Sequence, residues 1–321
     1  MLSAARVVRV AVLSVLVVAA GACGRKSGAS DHAEDAATSP DIAPEAQPAP
    51  ARAGAKVRCA EDTSFPGSWA LAEASAAAEV ELTPGIREML AVSDSGNNGS
   101  AMLWRIPAGP FRSLRLPLDS AASDDLEGLA FREHHLYALT STGAVRRFSA
   151  DGRGGVVRDG SAYPIGPPPY ACAKLTTLED CGINYEGLCL RPESAKARCA
   201  GYAASKAQGT LYCVVFKGDR LAIDDIKPPL KLALPKNALS DCAFGAAGGP
   251  AEDVLLVTTN IFGGSTTYEV RENDGALAAL DVTGLPNNEA VAVDRDGALY
   301  MMMDGDAPTS PAYRMTCSGW R

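Results

Sequence analysis

Five short segments of the chain open with a polar residue followed by an apolar run. These opening residues lie 52, 59, 55 and 48 residues apart, and they are Ser75, Glu127, Glu186, Asp241 and Glu289. In each copy a turn and a second apolar run follow, and the second run also ends in a polar residue: Asp94, Ser141, Lys206, Asn260 or Asp304. Copies arranged around one axis would bring four carboxylates together, and their mutual repulsion would raise their pKa values.

A bound cation would relieve this repulsion. Calcium accepts six to eight oxygen ligands in a loose geometry, which carboxylate and amide side chains can supply. The predicted ligands of Ca²⁺ or another divalent cation are Glu127, Glu186, Asp241, Glu289, Asn260, Asp304 and Asp94. Two alternatives need no metal: Lys206 can act as an internal counter-ion, or the polar residues can hydrogen-bond the backbone of the neighbouring copy and define the repeat.

The repeats predict the fold. Asp-Leu-Glu-Gly-Leu-Ala (125–130) precedes Leu-Tyr-Ala-Leu-Thr (136–140), and further strand-like runs with Asp-Gly turns fill the space between copies. Short strands in units of about fifty residues, four strands to a unit, are typical of a β-propeller. We therefore predict an all-β protein. Residues 57–321 allow 53 residues for each of five blades or 44 for each of six, and we favour five.

The cysteines indicate a disulfide-stapled domain outside the reducing cytosol. Without Cys23 the count is even, no Cys-x-x-Cys pair occurs, and the predicted half-cystines are Cys59, Cys172, Cys181, Cys189, Cys199, Cys213, Cys242 and Cys317. Spacing alone leaves the pairing open among 105 possibilities. The fold favours one pairing. Residues 57–61 can add a strand beside 312–317 to close the ring, and a Cys59–Cys317 disulfide would lock that closure.

The N-terminus is typical of an exported protein. Arg6 and Arg9 precede an apolar run over 10–22 that is too short to span a bilayer. Small residues before Cys23 resemble a bacterial lipobox, in which this cysteine is acylated, although ordinary cleavage after Ala22 fits as well. We predict a signal peptide over 1–22, the acylated cysteine and an Ala/Pro-rich tether over 23–56, and the propeller over 57–321.

Composition excludes several classes of protein. Hydrophobic residues make up 47% of the chain, which is typical of a globular protein and not of a disordered one. A net charge of -8 argues against a nucleic-acid partner, which needs a basic surface. With only three histidines in the chain, a metal site with several histidine ligands is disfavoured. His134 and His135, beside Glu133 at a predicted turn, are a less favoured candidate for a catalytic base.

The repeat motifs also resemble a known group. Asp-Leu-Glu-Gly-Leu-Ala (125–130), Asn-Tyr-Glu-Gly-Leu (184–188), Asn-Glu-Ala-Val-Ala (288–292) and Ser-Asp-Ser-Gly-Asn (93–97) resemble propellers described as SdiA-regulated or phytase-like esterase-like proteins, and more distantly gluconolactonase and paraoxonase propellers. The resemblance implies a propeller and, from the distant relatives, a divalent cation held by inward residues. It extends to Glu127, Glu186, Glu289, Asp241 and Asp94.

Two functions from different classes follow from these observations. The first is a lipid-anchored propeller of the bacterial outer membrane that binds a small ligand, a glycan or an envelope protein at its central channel. The alternative is a divalent-cation-dependent hydrolase of carboxylic esters, lactones or phosphate esters with the metal at the channel mouth. We expect a monomer that meets the membrane only through its lipid, or, if the lipid is absent, a soluble periplasmic or secreted protein.

Overall fold

The computed structural model describes residues 57–94, 96–119, 122–176, 181–193, 197–235, 237–261, 264–282, 287–303 and 308–320. The predicted signal peptide, the acylation site Cys23, the tether and the predicted ligand Asp304 lie outside the described residues. Within the described part of the chain, no helix is long and apolar enough to cross a membrane.

The described residues form five antiparallel sheets; four of them are built around four consecutive strands, and the fifth combines three C-terminal strands with strands from the N-terminal end of the domain. Two short strands come first, β1 (Arg58–Glu61) and β2 (Ser68–Trp69). The first blade contains β3 (Ala74–Thr83), β4 (Ile86–Ser93), β5 (Ser100–Arg105) and β6 (Phe111–Arg115). The second contains β7 (Leu126–Arg132), β8 (His135–Thr140), β9 (Ala144–Ala150), β10 (Val156–Arg158) and β11 (Tyr163–Pro164).

The remaining blades repeat this plan. The third contains β12 (Tyr185–Leu190), β13 (Gly201–Ser205), β14 (Thr210–Lys217), β15 (Arg220–Ile223) and β16 (Leu230–Lys231). The fourth contains β17 (Leu239–Phe244), β18 (Leu255–Ile261), β19 (Gly264–Arg271) and β20 (Ala276–Ala279). The fifth contains β21 (Asn288–Val293), β22 (Ala298–Met303) and β23 (Ser310–Ser318), and β1 and β2 both pair with β23. The prediction of a five-bladed propeller is confirmed, and the six-bladed alternative is wrong.

The first strand of each sheet lies on the central channel. β3, β7, β12, β17 and β21 contact one another in sequence, and β21 returns to β3, so the ring is closed. Four antiparallel strands per blade give all five inner strands the same direction. Their N-terminal ends therefore share one mouth of the channel and their C-terminal ends share the other.

The core is divided among the interfaces between blades. Five clusters of buried apolar side chains occur in the described residues, and each joins two adjacent blades. The cluster between the fifth and first blades, for example, packs Trp69 and Trp104 against Tyr300. Because each sheet is covered on both faces, its strands are apolar on successive residues as well as on alternate ones.

The ring is closed by the two ends of the propeller domain. β1 pairs with β23 in a register that sets Cys59 opposite Cys317, and the two cysteines form a disulfide. The predicted closure is therefore present. The other bonds are Cys172–Cys181, Cys189–Cys242 and Cys199–Cys213, so the six cysteines between 172 and 242 pair among themselves. Four disulfides are typical of a protein that folds outside the reducing cytosol.

Small residues allow the inner strands to approach closely. A Cβ atom at Gly128 would lie 2.5 Å from the backbone nitrogen of Leu188 in the next blade. A Cβ atom at Gly187 would lie 2.7 Å from a carboxylate oxygen of Asp241, one blade further on. A larger side chain at either position would push the blades apart, so the repeated Glu-Gly pairs are needed for packing as well as for any chemistry.

Candidate cation-binding site at the channel mouth

Every inner strand contains a β-bulge close to its start. The register with the second strand shifts by one residue in all five blades, and the residues in the bulges are Ser75, Glu127, Glu186, Ser240 and Glu289. A bulge leaves one residue without a cross-strand partner and redirects its side chain. Since the inner strands are all parallel, the bulges lie at the same mouth of the channel, which we call the acidic mouth.

The fourth copy differs from the sequence-based alignment. The residue equivalent to Glu127 and Glu186 is Ser240, and Asp241 is one position further along β17. The Asp241 carboxylate is buried and accepts hydrogen bonds from the backbone N–H groups of Val291, at 2.8 Å, and Cys242, at 2.7 Å. Burial raises its pKa well above the usual range, although these two hydrogen bonds oppose the change. Asp241 thus connects the fourth and fifth blades through the backbone.

The two serines in the bulges hydrogen-bond the backbone of the next blade. This is the structural role that the sequence allows as an alternative to metal binding for the opening polar residues. The Ser75 hydroxyl donates to the carbonyl oxygen of Leu126 at 2.5 Å, and the Ser240 hydroxyl donates to that of Asn288 at 2.8 Å. In both cases the acceptor residue immediately precedes a bulged glutamate of the next blade. The serines therefore hold the strands that present Glu127 and Glu289.

The ends of the second strands also follow the predicted repeat. The backbone N–H groups of Asp94, Ser141, Lys206 and Asn260 each donate to a carbonyl just before the inner strand of the same blade, on Glu73, Asp125, Asn184 and Ala238 respectively. This shared bond brings the side chains at the ends of the second strands to the acidic mouth, beside the bulged residues.

Three carboxylates at this mouth lie close enough to share one metal ion. One oxygen each from Asp94, Asp125 and Glu127 fall within 4.8 Å of one another, and all three residues are partly exposed. Asp94 and Glu127 are predicted ligands, whereas Asp125 is not. The Ser141 hydroxyl donates a hydrogen bond to Asp125, so this carboxylate is held in place by the second strand of its own blade.

The other two bulged glutamates have partners within the protein. The ammonium group of Lys206 lies 2.9 Å from one carboxylate oxygen of the buried Glu186, and the Asn184 amide donates to the other oxygen at 2.9 Å. The Asn260 amide donates to Glu289. The structure therefore brings Asn260 and Lys206 to the glutamates, as their positions in the repeat predict.

The charges at the mouth shift the pKa values of its groups. Burial, followed by the charges of Glu186, Asp94 and Asp125, raises the pKa of Glu127 well above its ordinary value, and Lys206 opposes this only weakly. Burial also raises the pKa of Glu186 from 4.5 to about 7, against the opposing effect of Lys206. Burial alone would lower the pKa of Lys206, but Glu186 and Glu289 outweigh it and raise the value. Glu127 therefore retains its proton to a higher pH than an ordinary glutamate does.

The two histidines considered as a base lie away from these carboxylates. His134 is exposed in the turn between β7 and β8, at the other end of the inner strand from Glu127. The His135 ring faces Ser149 and Asp159, with its Nδ1 atom 3.6 Å from an Asp159 oxygen.

Comparisons with known proteins give the following matches. No family model matches the chain, and no curated protein matches it in sequence. Among solved structures, Myxococcus xanthus glutaminyl cyclase aligns with a TM-score of 0.47 and 15% identity over 83% of this chain and 99% of that one. A putative 6-phosphogluconolactonase from Bacteroides fragilis aligns with a TM-score of 0.38 and 13% identity over 67% of this chain and 60% of that one.

A third solved structure is the β-propeller domain of Cps50 (Swd1) from Myceliophteria thermophila. It aligns with a TM-score of 0.35 and 11% identity over 70% of this chain and 65% of that one. At such identities and TM-scores, these likenesses say nothing about activity. The resemblance to SdiA-regulated and phytase-like propellers, which rests on short motifs, stays a prediction.

Proposed function

We propose that this protein is an extracytoplasmic propeller that binds a cationic ligand, with Ca²⁺ as the first candidate, at the acidic mouth of its channel. The observation that carries the proposal is the convergence of Asp94, Asp125 and Glu127 within 4.8 Å. Burial first, and then the charges of Glu186, Asp94 and Asp125, raise the pKa of Glu127, so the carboxylates of this mouth repel one another. A divalent cation bound among them would replace the repulsion with attraction.

The donor set favours calcium over softer metals. All three groups of the triad provide hard oxygen ligands, and calcium tolerates an irregular geometry completed by water or backbone oxygens. Neighbouring groups that can add to the shell or orient it are Glu186, Glu289 and Asn260. The predicted lipid at Cys23 and the tether would hold such a binding domain at the cell envelope.

A thermal melt of the oxidised protein, first in EDTA and then with added CaCl₂, tests this proposal. A ligand that binds only the folded state stabilises it by about 2.7 kcal/mol at a hundredfold excess over Kd. For a domain of this size the midpoint should rise by about 5 to 8 °C. Glu127→Gln should remove most of this rise. Asp253→Asn, a substitution of an exposed carboxylate away from the mouth, is the matched control and should retain it.

An unchanged midpoint in wild-type protein, with no metal found after purification, would rule out calcium binding at this mouth. The carboxylates would then be neutralised by protonation and by Lys206. Magnesium, tested in parallel, should give a smaller shift because it demands a stricter octahedral geometry.

One observation favours the hydrolase as a second candidate function. Glu186 has a pKa of about 7 and lies at the same mouth as the triad, so its carboxyl group can exchange a proton near neutral pH. A metal on the triad could then polarise an ester or phosphate while Glu186 transfers the proton. Turnover of generic esters, lactones or phosphate esters that requires calcium and is lost in Glu186→Gln would support this function. Absence of turnover in calcium-loaded protein would mean that the protein binds the cation but does not catalyse hydrolysis.

A further inference from the structure

A cavity of about 280 Å³ opens at the end of the channel opposite the acidic mouth. It is lined by the C-terminal halves of all five inner strands and by the residues that follow them, including 77–81, 129–134 and 242–247. The bulged residues of the acidic mouth do not line it. This second mouth is therefore a separate place where a ligand can enter the ring.

The space arises from a ring of small side chains. The residue three positions after each bulge is Ala78, Ala130, Cys189, Ala243 or Ala292, and all five line the cavity. Four alanines and a half-cystine leave room that larger side chains would fill. The Cys189–Cys242 disulfide, which joins the third and fourth inner strands, also lies in the wall and fixes the separation of the two blades.

The remaining described wall is apolar in its depth and charged at its rim. Leu129, Leu188 and Phe244 contribute apolar surface near the alanines. The charged lining residues are Glu79, Glu81, Glu133, Glu193, Arg132 and Arg295. Among these lining residues carboxylates exceed guanidinium groups by two. Arg132 pairs with Glu133, and Glu79 pairs with Arg87 from outside the wall at 2.8 Å and more loosely with Arg295 at 3.9 Å, so a smaller excess of negative charge remains at the rim. A concave site with such a rim attracts cations.

We propose that this second mouth binds a small organic cation with an apolar body. The cavity is nearly twice the roughly 150 Å³ of a protein cavity that takes up benzene, so it holds a ring or short chain together with an amino group. The apolar body lies against the alanine ring, and the ammonium group faces the carboxylates of the rim. This inference uses no residue of the acidic mouth and is independent of the function proposed above.

Calorimetric titration with benzylammonium chloride tests the proposal. Sodium benzoate and benzyl alcohol, which keep the ring but reverse or remove the charge, are the matched ligands. We expect benzylammonium to bind with a Kd on the order of 1 mM, a reasonable affinity for so few atoms. Benzyl alcohol should bind more weakly, and benzoate most weakly of all. Equal binding of all three ligands, or no binding of benzylammonium, would overturn the proposal.

Two kinds of variant locate the bound amine. Ala243→Leu fills the cavity and should abolish binding. Glu133→Gln and Glu193→Gln change exposed side chains, of which Glu133 forms a surface ion pair with Arg132 that contributes little to stability, and each should weaken binding by about two- to fivefold. Glu61→Gln removes an exposed carboxylate on the outer strand β1 and should have no effect.

The rim variants decide the question if Ala243→Leu does not fold. Binding that is unchanged in both rim variants would overturn the proposal. So would binding that is lost in Glu127→Gln but retained in Ala243→Leu, because the amine would then occupy the acidic mouth.

Discussion

The ammonium nitrogen of Lys206, which directly follows β13, lies 2.9 Å from a carboxylate oxygen of Glu186 in the neighbouring strand β12. This ion pair divides the acidic mouth into two parts. One part is neutralised within the protein by Lys206 and the amides of Asn184 and Asn260. The other part holds the triad of Asp94, Asp125 and Glu127, where burial and the neighbouring carboxylates raise the pKa of Glu127. A ligand with positive charge should bind to the second part.

Glu127→Gln is expected to stabilise the metal-free protein at neutral pH although it weakens calcium binding. Because the pKa of Glu127 is raised in the folded state, that state retains a proton that the unfolded chain loses above about pH 4.5. The free energy of unfolding of the wild type therefore falls as the pH rises above this value. The amide carries no such penalty.

Urea denaturation in EDTA at pH 4.5, 6 and 8 measures this difference. The free energy of unfolding should fall more steeply with pH in the wild type than in Glu127→Gln, and the variant should be the more stable of the two at pH 8. If the free energy of unfolding depended on pH in the same way in both proteins, the pKa of Glu127 would not be raised in the folded state.

Lys206→Met is expected to destabilise the protein most at alkaline pH. The substitution leaves the buried Glu186 without its cation, and an unpaired buried charge costs several kcal/mol. Lys206 lowers the pKa of Glu186 in the wild type, so its removal raises that pKa further; at acidic pH the carboxyl takes up a proton and the loss should be smaller. Thermal midpoints at pH 5.5 and pH 8.5 test this, with the exposed Lys217→Met as control.

Calcium should restore more stability to Lys206→Met than to the wild type, because the variant mouth is more negative. A midpoint loss in Lys206→Met that is the same at both pH values would show that Lys206 acts through packing of its alkyl chain rather than through its charge.

The repeats made the fold predictable from sequence. A polar residue before an apolar run is a local pattern, and it occurs in five copies because each blade needs the same inner strand. The segment 150–183 is harder to interpret from sequence, because it contains β10 and β11, two very short outer strands of the second blade. Strands of two or three residues beside glycines and prolines are too short to show the alternation of apolar and polar residues that indicates a strand.

The site was only partly predictable, for two reasons. In the fourth copy, Ser240 and Asp241 are both polar. The acidic residues of the other copies favour Asp241 as the equivalent position, but the residue in the bulge is Ser240. Asp125 was missed because it precedes its strand, and only the folded chain sets it beside Asp94, which is distant in sequence. The hydrogen bond from the end of the second strand to the residue before the inner strand, which the first four blades share, places Asp125 at the mouth, and it exists only in the folded chain.

Ser240→Ala is expected to lower the free energy of unfolding by about 1 to 3 kcal/mol. The substitution removes the hydrogen bond to the Asn288 carbonyl and leaves that buried acceptor without its partner at the interface of two blades. Urea denaturation measures the change, and Ser64→Ala, in an exposed turn, should change it by less than about 0.5 kcal/mol. Equal effects of the two substitutions would mean that the serine bridge contributes nothing to the interface.

Removal of the Cys59–Cys317 disulfide should destabilise the protein more than removal of Cys172–Cys181. The first bond spans 258 residues and the second spans 9. In the chain-entropy model the longer loop corresponds to about 5.5 kcal/mol and the shorter to about 2.5 kcal/mol. The double variants Cys59→Ala/Cys317→Ala and Cys172→Ala/Cys181→Ala, compared by urea denaturation, test this order.

The two disulfide variants should also differ in how they begin to unfold. Without Cys59–Cys317, the N-terminal strands are held by pairing of β1 and β2 with β23, by the Asp62–Arg314 ion pair and by packing of Trp69, with no covalent link, so these strands should open first. Limited proteolysis should then cleave near Arg58 before any other site in this variant, and not in the other. Cleavage that begins elsewhere in both variants would show that the closure is maintained by strand pairing and by the packing of Trp69, without need of the covalent bond.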